Sequence, residues 1–328
     1  MAQGARAGRP SVTAALALRS SLFGTSHRAA RTMNQRRHLS SYFVSPEELA
    51  GALGKTPRTK ISTSPRTIPL CASWFLPNDP QQRTGLSVYK KQRIPSARFF
   101  DLDGIKDHDS PYPHMLPTAE QFADAMRQLG INVEDEIVVY DSAELGIFSA
   151  PRVGWTLKVF GHHKVHILNN FKLWVEQGYP TESGDAEEAQ PSQYQVPMFD
   201  ASKVAGFAEI REIASDYGKE GAEGVQILDA RPRGRWAGID PEPRPGLSSG
   251  HIPGSYSVPV SDLLDSTSKA FLPKEKLQKV FLDKGIDPEK PIISSCGTGV
   301  TAAVIDAALS EAEFGDDSQR RLYDGSWT

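Results

Sequence analysis

The run Cys296-Gly297-Thr298-Gly299-Val300-Thr301 concentrates the features that a reactive thiol needs. It follows Pro291-Ile292-Ile293-Ser294-Ser295, which reads as a buried strand ending at Ser295. A helix is expected to begin near Val300 and to run through Ala302, Ala303, Ile305 and Leu309. The sulfur then sits at a strand end, before a tight turn and facing a helix N-terminus. Gly297 and Gly299 let the backbone curl with its N–H groups pointing inward. Those donors and the helix dipole stabilise a thiolate, the form that nucleophilic sulfur chemistry requires. The competing reading is a buried, inert cysteine. Two glycines and two threonines beside the sulfur at a strand end weigh against it. The other cysteine, Cys71, precedes Ala72-Ser73-Trp74-Phe75, lacks such a frame and reads as structural.

The elements that must position this loop occur twice. Arg93-Ile94-Pro95-Ser96-Ala97 is similar to His251-Ile252-Pro253-Gly254-Ser255, and each is followed by an aspartate, Asp101 or Asp103 in one half and Asp262 in the other. Glu136-Ile137-Val138-Val139-Tyr140-Asp141 matches Pro291–Cys296, and Leu168-Asn169-Asn170-Phe171 matches Tyr323-Asp324-Gly325-Ser326, both at an offset of 155 residues. A period of domain size means two tandem copies of one fold rather than a solenoid. Short apolar strands such as Ile227-Leu228-Asp229 alternate with helical patterns such as Ala119–Leu129 and Lys274–Leu282. That alternation predicts an α/β fold, a parallel sheet flanked by helices in each half. Thr181–Pro197, rich in Glu, Ser, Gln and Pro, reads as the joint. The expected organisation is a transit peptide over 1–40, a non-catalytic domain over 41–181, a linker over 182–200 and a catalytic domain over 201–328. In the first copy Asp141 stands where Cys296 stands in the second, so that copy cannot carry sulfur and is expected to shape the cleft.

Composition narrows the function classes. The 328 residues suffice for two domains, and 39% are hydrophobic. No apolar run is long enough to cross a bilayer, so no membrane partner is expected. Two distant cysteines make neither a disulfide framework nor a zinc site, and no histidine has metal-ligand spacing. His251 reads as part of a turn, and His162, His163 and His108 as loop residues. The first forty residues hold seven arginines and no acid, the first being Glu47. Val12, Leu16, Arg19 and Leu22/Phe23 can form an amphipathic helix, which is the composition of a mitochondrial transit peptide and implies the matrix. A basic tail is the alternative. The remainder has 30 basic and 40 acidic residues, a formal charge of −10, which argues against nucleic-acid binding.

With these residues in view, a family resemblance is specific. The loop Cys296–Thr301 resembles the active-site loop of the tandem-domain rhodanese superfamily. Its form Cys-Gly-Thr-Gly-Val-Thr is similar to the 3-mercaptopyruvate sulfurtransferase branch, typically Cys-Gly-Ser-Gly-Val-Thr, more than to the thiosulfate branch, usually Cys-Arg-Lys-Gly-Val-Thr. Further family-like stretches are Ser73-Trp74-Phe75-Leu76-Pro77, Ser110–Pro117, Ala150-Pro151-Arg152-Val153, Gly250-His251-Ile252-Pro253-Gly254 and Tyr323-Asp324-Gly325-Ser326-Trp327. A physical reason agrees with the branch. Thiosulfate is a dianion that cations in the loop would favour, and here the loop offers only neutral Gly297 and Thr298.

The resemblance implies a sulfurtransferase. Cys296 would carry sulfur as a persulfide from 3-mercaptopyruvate to a thiol acceptor such as thioredoxin, or to cyanide, and release pyruvate. No cofactor is implied. Arg235 and Arg244 resemble the arginines that hold the donor's carboxylate and ketone, and a guanidinium fork suits a planar carboxylate. Read without the family, their segment is a proline-stiffened loop with solvated arginines. Thr298, His114 and Asp103 resemble the family's hydroxyl–imidazole–carboxylate set, with Thr in place of the commoner Ser. Gly297, Gly299, Val300 and Thr301 complete the substrate-binding loop. The alternatives are thiosulfate as donor and a non-catalytic binding module. A cysteine phosphatase needs an arginine six residues after the cysteine, where Ala302 stands. The family's closing signature runs on into a helix, as the first half does through Lys172-Leu173-Trp174. With the chain ending at Thr328, the second domain is expected to lack it.

Overall fold

The structure, a computed structural model, describes residues 39, 41–54, 64–222 and 224–328. Apart from Leu39, the segment read as a transit peptide lies outside the described residues. The first half runs β1 (Phe43–Val44), α1 (Pro46–Leu53), β2 (Thr67–Cys71), α2 (Gly85–Lys91), β3 (Arg98–Phe99), α3 (Ala119–Gln128), β4 (Glu136–Tyr140), α4 (Ala150–Val159), β5 (Val165–Leu168) and α5 (Phe171–Glu176). The second runs β6 (Val204–Ala205), α6 (Phe207–Asp216), β7 (Gln226–Asp229), α7 (Arg233–Trp236), β8 (Tyr256–Ser257), α8 (Lys274–Asp283), β9 (Ile292–Ser295), α9 (Ala302–Glu311) and β10 (Arg320–Tyr323).

Each half forms one five-stranded sheet, in the orders β1-β5-β4-β2-β3 and β6-β10-β9-β7-β8. Every pairing within the two sheets is parallel. Renumbering the second half from its first strand gives the order of the first, so the internal similarity is a repeat of topology. Parallel strands are covered on both faces and therefore read as continuous apolar runs. Ile137 through Tyr140 on β4 and Ile292 and Ile293 on β9 are accordingly buried.

Local sequence sets the helix starts. Ser45/Glu48 and Thr118/Gln121 form reciprocal capping boxes at α1 and α3, each satisfying backbone N–H groups that a helix start leaves open. Helix α9 begins at Ala302, two residues beyond the expected start. Its N-cap residue Thr301 makes no side-chain cap.

Two helices are apolar almost all round, α4 and α9. Such helices belong in a core, and these two pack against each other between the sheets. Ile305 and Leu309 are fully buried there, each stabilising the fold by roughly 1.5–3 kcal/mol. One hydrophobic cluster consequently runs through both halves. Phe43 of the first meets Phe271 of the second edge to face, with ring centroids 4.7 Å apart. Because α4 and α9 are neighbours, the loops that precede them, after β4 and after β9, come together.

Residues 177–200 contain no helix or strand, yet the segment is packed. Arg93 and Glu182 exchange backbone hydrogen bonds at 2.9 Å, and Tyr194 is buried with its hydroxyl 3.0 Å from His162 Nδ1. Its polar composition covers the first sheet's helices before the chain enters β6.

Candidate active site

Strand β9 delivers Cys296 at its C-terminal end, where the free thiol is 2% exposed. The loop that follows closes on a residue thirty positions later. Ser326 Oγ accepts from the N–H groups of Cys296 at 3.1 Å and Gly299 at 3.0 Å, and lies 3.9 Å from Cys296 Sγ. The Trp327 N–H donates to the Cys296 carbonyl, and the Thr328 hydroxyl to that of Gly297. Two of the N–H groups expected to face the sulfur therefore bind a serine. Those of Gly297, Thr298, Val300 and Thr301 have no acceptor among the described residues. Gly299 has φ +76°, and a Cβ there would lie 2.7 Å from the Asp324 carbonyl and 2.8 Å from Arg152 Nη1. Only glycine fits that position.

His114 comes from the segment between β3 and α3 and is buried, with φ +62°. Its Nδ1 is 3.2 Å from Thr298 Oγ1, and its Nε2 is 3.0 Å from Asp103 Oδ1. The three residues named from the resemblance are thus joined across the two halves. A carboxylate can only accept, so the neutral ring carries its proton on Nε2 and Thr298 donates to Nδ1. Burial pushes His114 below the ordinary imidazole value, against the upward pull of Asp103. The hydrogen bond from His114 holds Asp103 below the usual carboxylate range. Neutral imidazole beside ionised carboxylate is therefore the resting state at neutral pH.

The two arginines have different surroundings. Arg235 on α7 is paired through Nη2 and Nε with Glu242, whose side chain is buried. Glu242 also takes Arg231 Nη1 at 2.7 Å, and Arg231 Nη2 pairs with Asp229 on β7 at 2.6 Å. Arg231 lies under the Trp327 ring, 4.5 Å from its centroid. Two buried acids thereby neutralise two guanidiniums. Burial works against the charge of Arg231, and Asp229 and Glu242 outweigh it. Arg244 has no ion pair or hydrogen bond among the described residues. It is half-buried, and burial lowers its proton affinity, while Asp103 and Cys296 are near enough to raise it. Guanidinium does not deprotonate in proteins, so Arg244 is a desolvated cation with room for an anion.

Cys296, Thr298 and the two arginines line one cavity of about 570 Å³, while His114 and Asp103 lie behind Thr298 and are not part of its lining. Trp74 and Phe148 enter it from the first half, and Arg235, Arg244, Cys296 and Thr298 from the second; Gly297, Val300 and Thr301 also face it. A buried ion pair braces the two halves beside it. Arg152 on α4 pairs with Asp324 after β10 and donates to the carbonyls of His114 at 2.6 Å and Gly299 at 3.3 Å. Arg152, Asp324 and Ser326 lie in stretches that the sequence marks as family-like. Nothing in those stretches says that they meet. Glu242, inside Pro-Glu-Pro-Arg, could have been picked out as an acid flanked by prolines beside two arginines. Among the described residues no group of His, Cys, Asp and Glu is placed to hold a metal.

This arrangement can host nucleophilic sulfur chemistry on a small anion, and known proteins bear out the class. The rhodanese-like domain model matches residues 215–328. The 3-mercaptopyruvate sulfurtransferase of Rattus norvegicus is 38% identical over 87% of this chain and 90% of its own. The thiosulfate sulfurtransferase TUM1 of Saccharomyces cerevisiae is 40% identical over 80% of this chain and 88% of its own. Its crystal structure superposes with a TM-score of 0.77, at 37% identity, covering 88% of this chain and 94% of that one. The sulfur transferase subunit of yeast mitochondrial complex I matches with the same TM-score at 38% identity, covering 88% and 95%. A tandem fold, a cysteine loop between its halves and relatives of this similarity lead to one conclusion: the chain belongs to the rhodanese-type sulfurtransferases and is an enzyme that transfers sulfur.

Proposed function

We propose that the cavity takes sulfur from 3-mercaptopyruvate onto Cys296 and passes it to a thiol. Arg244 binds the donor carboxylate, and Arg235, held by Glu242, meets the ketone oxygen. The Cys296 thiolate attacks the donor sulfur. An S–S bond forms, the C–S bond breaks, and its electron pair leaves as the pyruvate enolate. Arg235 and Arg244 stabilise that charge as it develops. The proton lost by the donor thiol is the one the enolate carbon needs, so Thr298 and His114 have only to relay it. The product enzyme is a Cys296 persulfide, and the unfilled N–H groups of Gly297, Thr298, Val300 and Thr301 suit its terminal sulfur anion. An acceptor thiol such as thioredoxin, or cyanide, then removes the outer sulfur.

One observation carries this reading. The buried thiol shares its cavity with an unpaired guanidinium, while the loop itself holds no cation. A monoanionic 2-oxo acid matches that distribution better than thiosulfate, the donor in the yeast relative's name. Turnover with each donor tests it, in wild type and in Arg244→Ala. Preference for mercaptopyruvate that collapses in the variant is expected, together with one extra sulfur on Cys296 by mass spectrometry. Preference for thiosulfate in both proteins would reassign the donor.

The same proposal includes the chain's organisation and destination. Residues 41–181 form the non-catalytic domain, 182–200 the linker and 201–328 the catalytic domain, which the two sheets support. Residues 1–40 direct the chain to the mitochondrial matrix. Their arginine-rich, acid-free composition and the mitochondrial relative support this.

A further inference from the structure

The first half carries a hydrogen-bonded chain that reaches Asp103 and His114 through Asp141, Ser149 and Trp74, three residues with no part in the proposed reaction. It starts at Asp141, the residue in the place of Cys296. Asp141 Oδ1 accepts the Ser149 hydroxyl at 2.5 Å. Ser149 Oγ in turn accepts the backbone N–H of Trp74 at 3.1 Å. The Trp74 indole N–H donates to Asp103 Oδ2 at 2.9 Å, and the other oxygen of Asp103 meets His114. Trp74 also packs its ring edge to face on His114, with centroids 4.6 Å apart, and lies parallel to Phe148 at 6.4 Å. We propose that the loop after β4 is a positioning device for the Thr298–His114–Asp103 set, acting from Asp141 through Ser149 and Trp74.

The physical need is plain at Asp103. Its side chain is 62% exposed, whereas that of its partner His114 is 1% exposed. A carboxylate so open to water rotates freely unless both oxygens are tied. His114 ties one and Trp74 ties the other. Orientation of the carboxylate decides which imidazole nitrogen keeps the proton, and hence whether Thr298 can donate to Nδ1. Trp74 must itself be fixed, and the Ser149–Asp141 pair fixes its backbone. The buried Asp141 also receives the N–H groups of Phe148, Ser149 and Ala150 at 2.8–2.9 Å, so the anchor is rigid. Trp74 and Ser149 are positioning residues, acting through Asp103.

This inference rests on the proposed role of the set in proton relay, and the test separates the two. Full-length Trp74→Phe keeps the ring and removes its N–H. With 3-mercaptopyruvate, kcat is expected to fall about tenfold, the loss of one hydrogen bond to a charged group, with KM within about twofold. The acid limb of the pH profile should move to higher pH, because Asp103 and His114 then protonate more readily. In an Asp103→Asn background the same change should cost nothing further, since interacting residues are not additive. Ser149→Ala should reproduce the shift in smaller measure. An unmoved profile, or full additivity with Asp103→Asn, overturns the positioning role. A shift for Trp74→Phe without one for Ser149→Ala removes the β4 loop from it. If Asp103→Asn alone leaves kcat intact, the relay reading itself fails.

Discussion

The two halves share a strand order, a crossover handed from strand to helix, and a loop at the same place. They differ in what that loop does with its backbone donors. After β4, three N–H groups at the start of α4 and the Ser149 hydroxyl converge on Asp141. The anion is part of the chain, and the cradle is full. After β9, Ser326 takes the N–H groups of Cys296 and Gly299, and those of Gly297, Thr298, Val300 and Thr301 have no acceptor among the described residues. There the anion must come from outside or be made on the sulfur. One loop supplies its own carboxylate and the other does not, and the ion pair between Arg152 and Asp324 ties the two halves together.

The largest effect that would sharpen this contrast is at the sulfurs. Cys296→Ser should lower turnover by roughly 10³-fold or more, as loss of a covalent nucleophile does, and abolish the sulfur adduct in mass spectrometry. Cys71→Ala should leave kcat/KM within about twofold. Burial pushes the Cys71 thiol up to about 11, so it stays protonated and should resist alkylation in the folded protein. Rapid labelling of Cys71 would break the distinction.

Next come the arginines, which the sequence treats as a pair. Arg244→Ala should reduce kcat/KM about 10–100-fold, the loss of a charge-assisted contact, with little change in thermal stability. Arg235→Ala leaves the buried Glu242 with Arg231 alone and should destabilise by about 3 kcal/mol, seen as a lower urea midpoint. Identical effects of the two changes would mean that Arg244 is not the open cation.

Gly299→Ala tests the open cradle itself. Its left-handed φ and the two close atoms predict a loss of about 1–3 kcal/mol, measured by chemical unfolding, with reduced sulfur loading of Cys296. Gly178, also at positive φ but with no neighbouring atom within 4 Å of a Cβ, should cost less on the same change.

The smallest expected effect is on pH dependence. The folded state lowers His114 below its unfolded value of 6.5. The unfolded chain then binds more protons just below that pH, so stability increases with pH through the window. The neutral ring's contribution is fully present above 6.5 and is lost as the pH falls through the folded value. His114→Asn should flatten urea midpoints across the window, and the acid limb of kcat/KM should lie below pH 6.5 in the wild type. A limb above 6.5 would mean that the imidazole rests charged.

Much of this was readable in the chain. The Pro291–Cys296 and Glu136–Asp141 matches located the sulfur at the C-terminal end of a buried strand and its counterpart Asp141 at the same end in the first copy, because strand burial leaves an apolar run whatever packs on it. The capping boxes and the αL glycine are local, set by neighbours within a turn. Ser326 was not readable as part of the loop, since its hydroxyl reaches Cys296 only after β10 has paired beside β9. The unequal arginines were hidden for the same reason. Glu242 becomes a buried partner only once the segment after α7 folds back over Asp229 and Arg231.

The sequence alone determined the repeat, the α/β class and the family, and it singled out Cys296 as the candidate thiol, since these depend on residue type and short spacing. Tertiary structure alone decided which donors are spent and which stay open, and which guanidinium is free. It also joined Thr298 to a histidine 184 residues away. Hydrogen bonds and desolvation act through space, and a chain's order along its length does not state which groups will meet once α4 and α9 pack together.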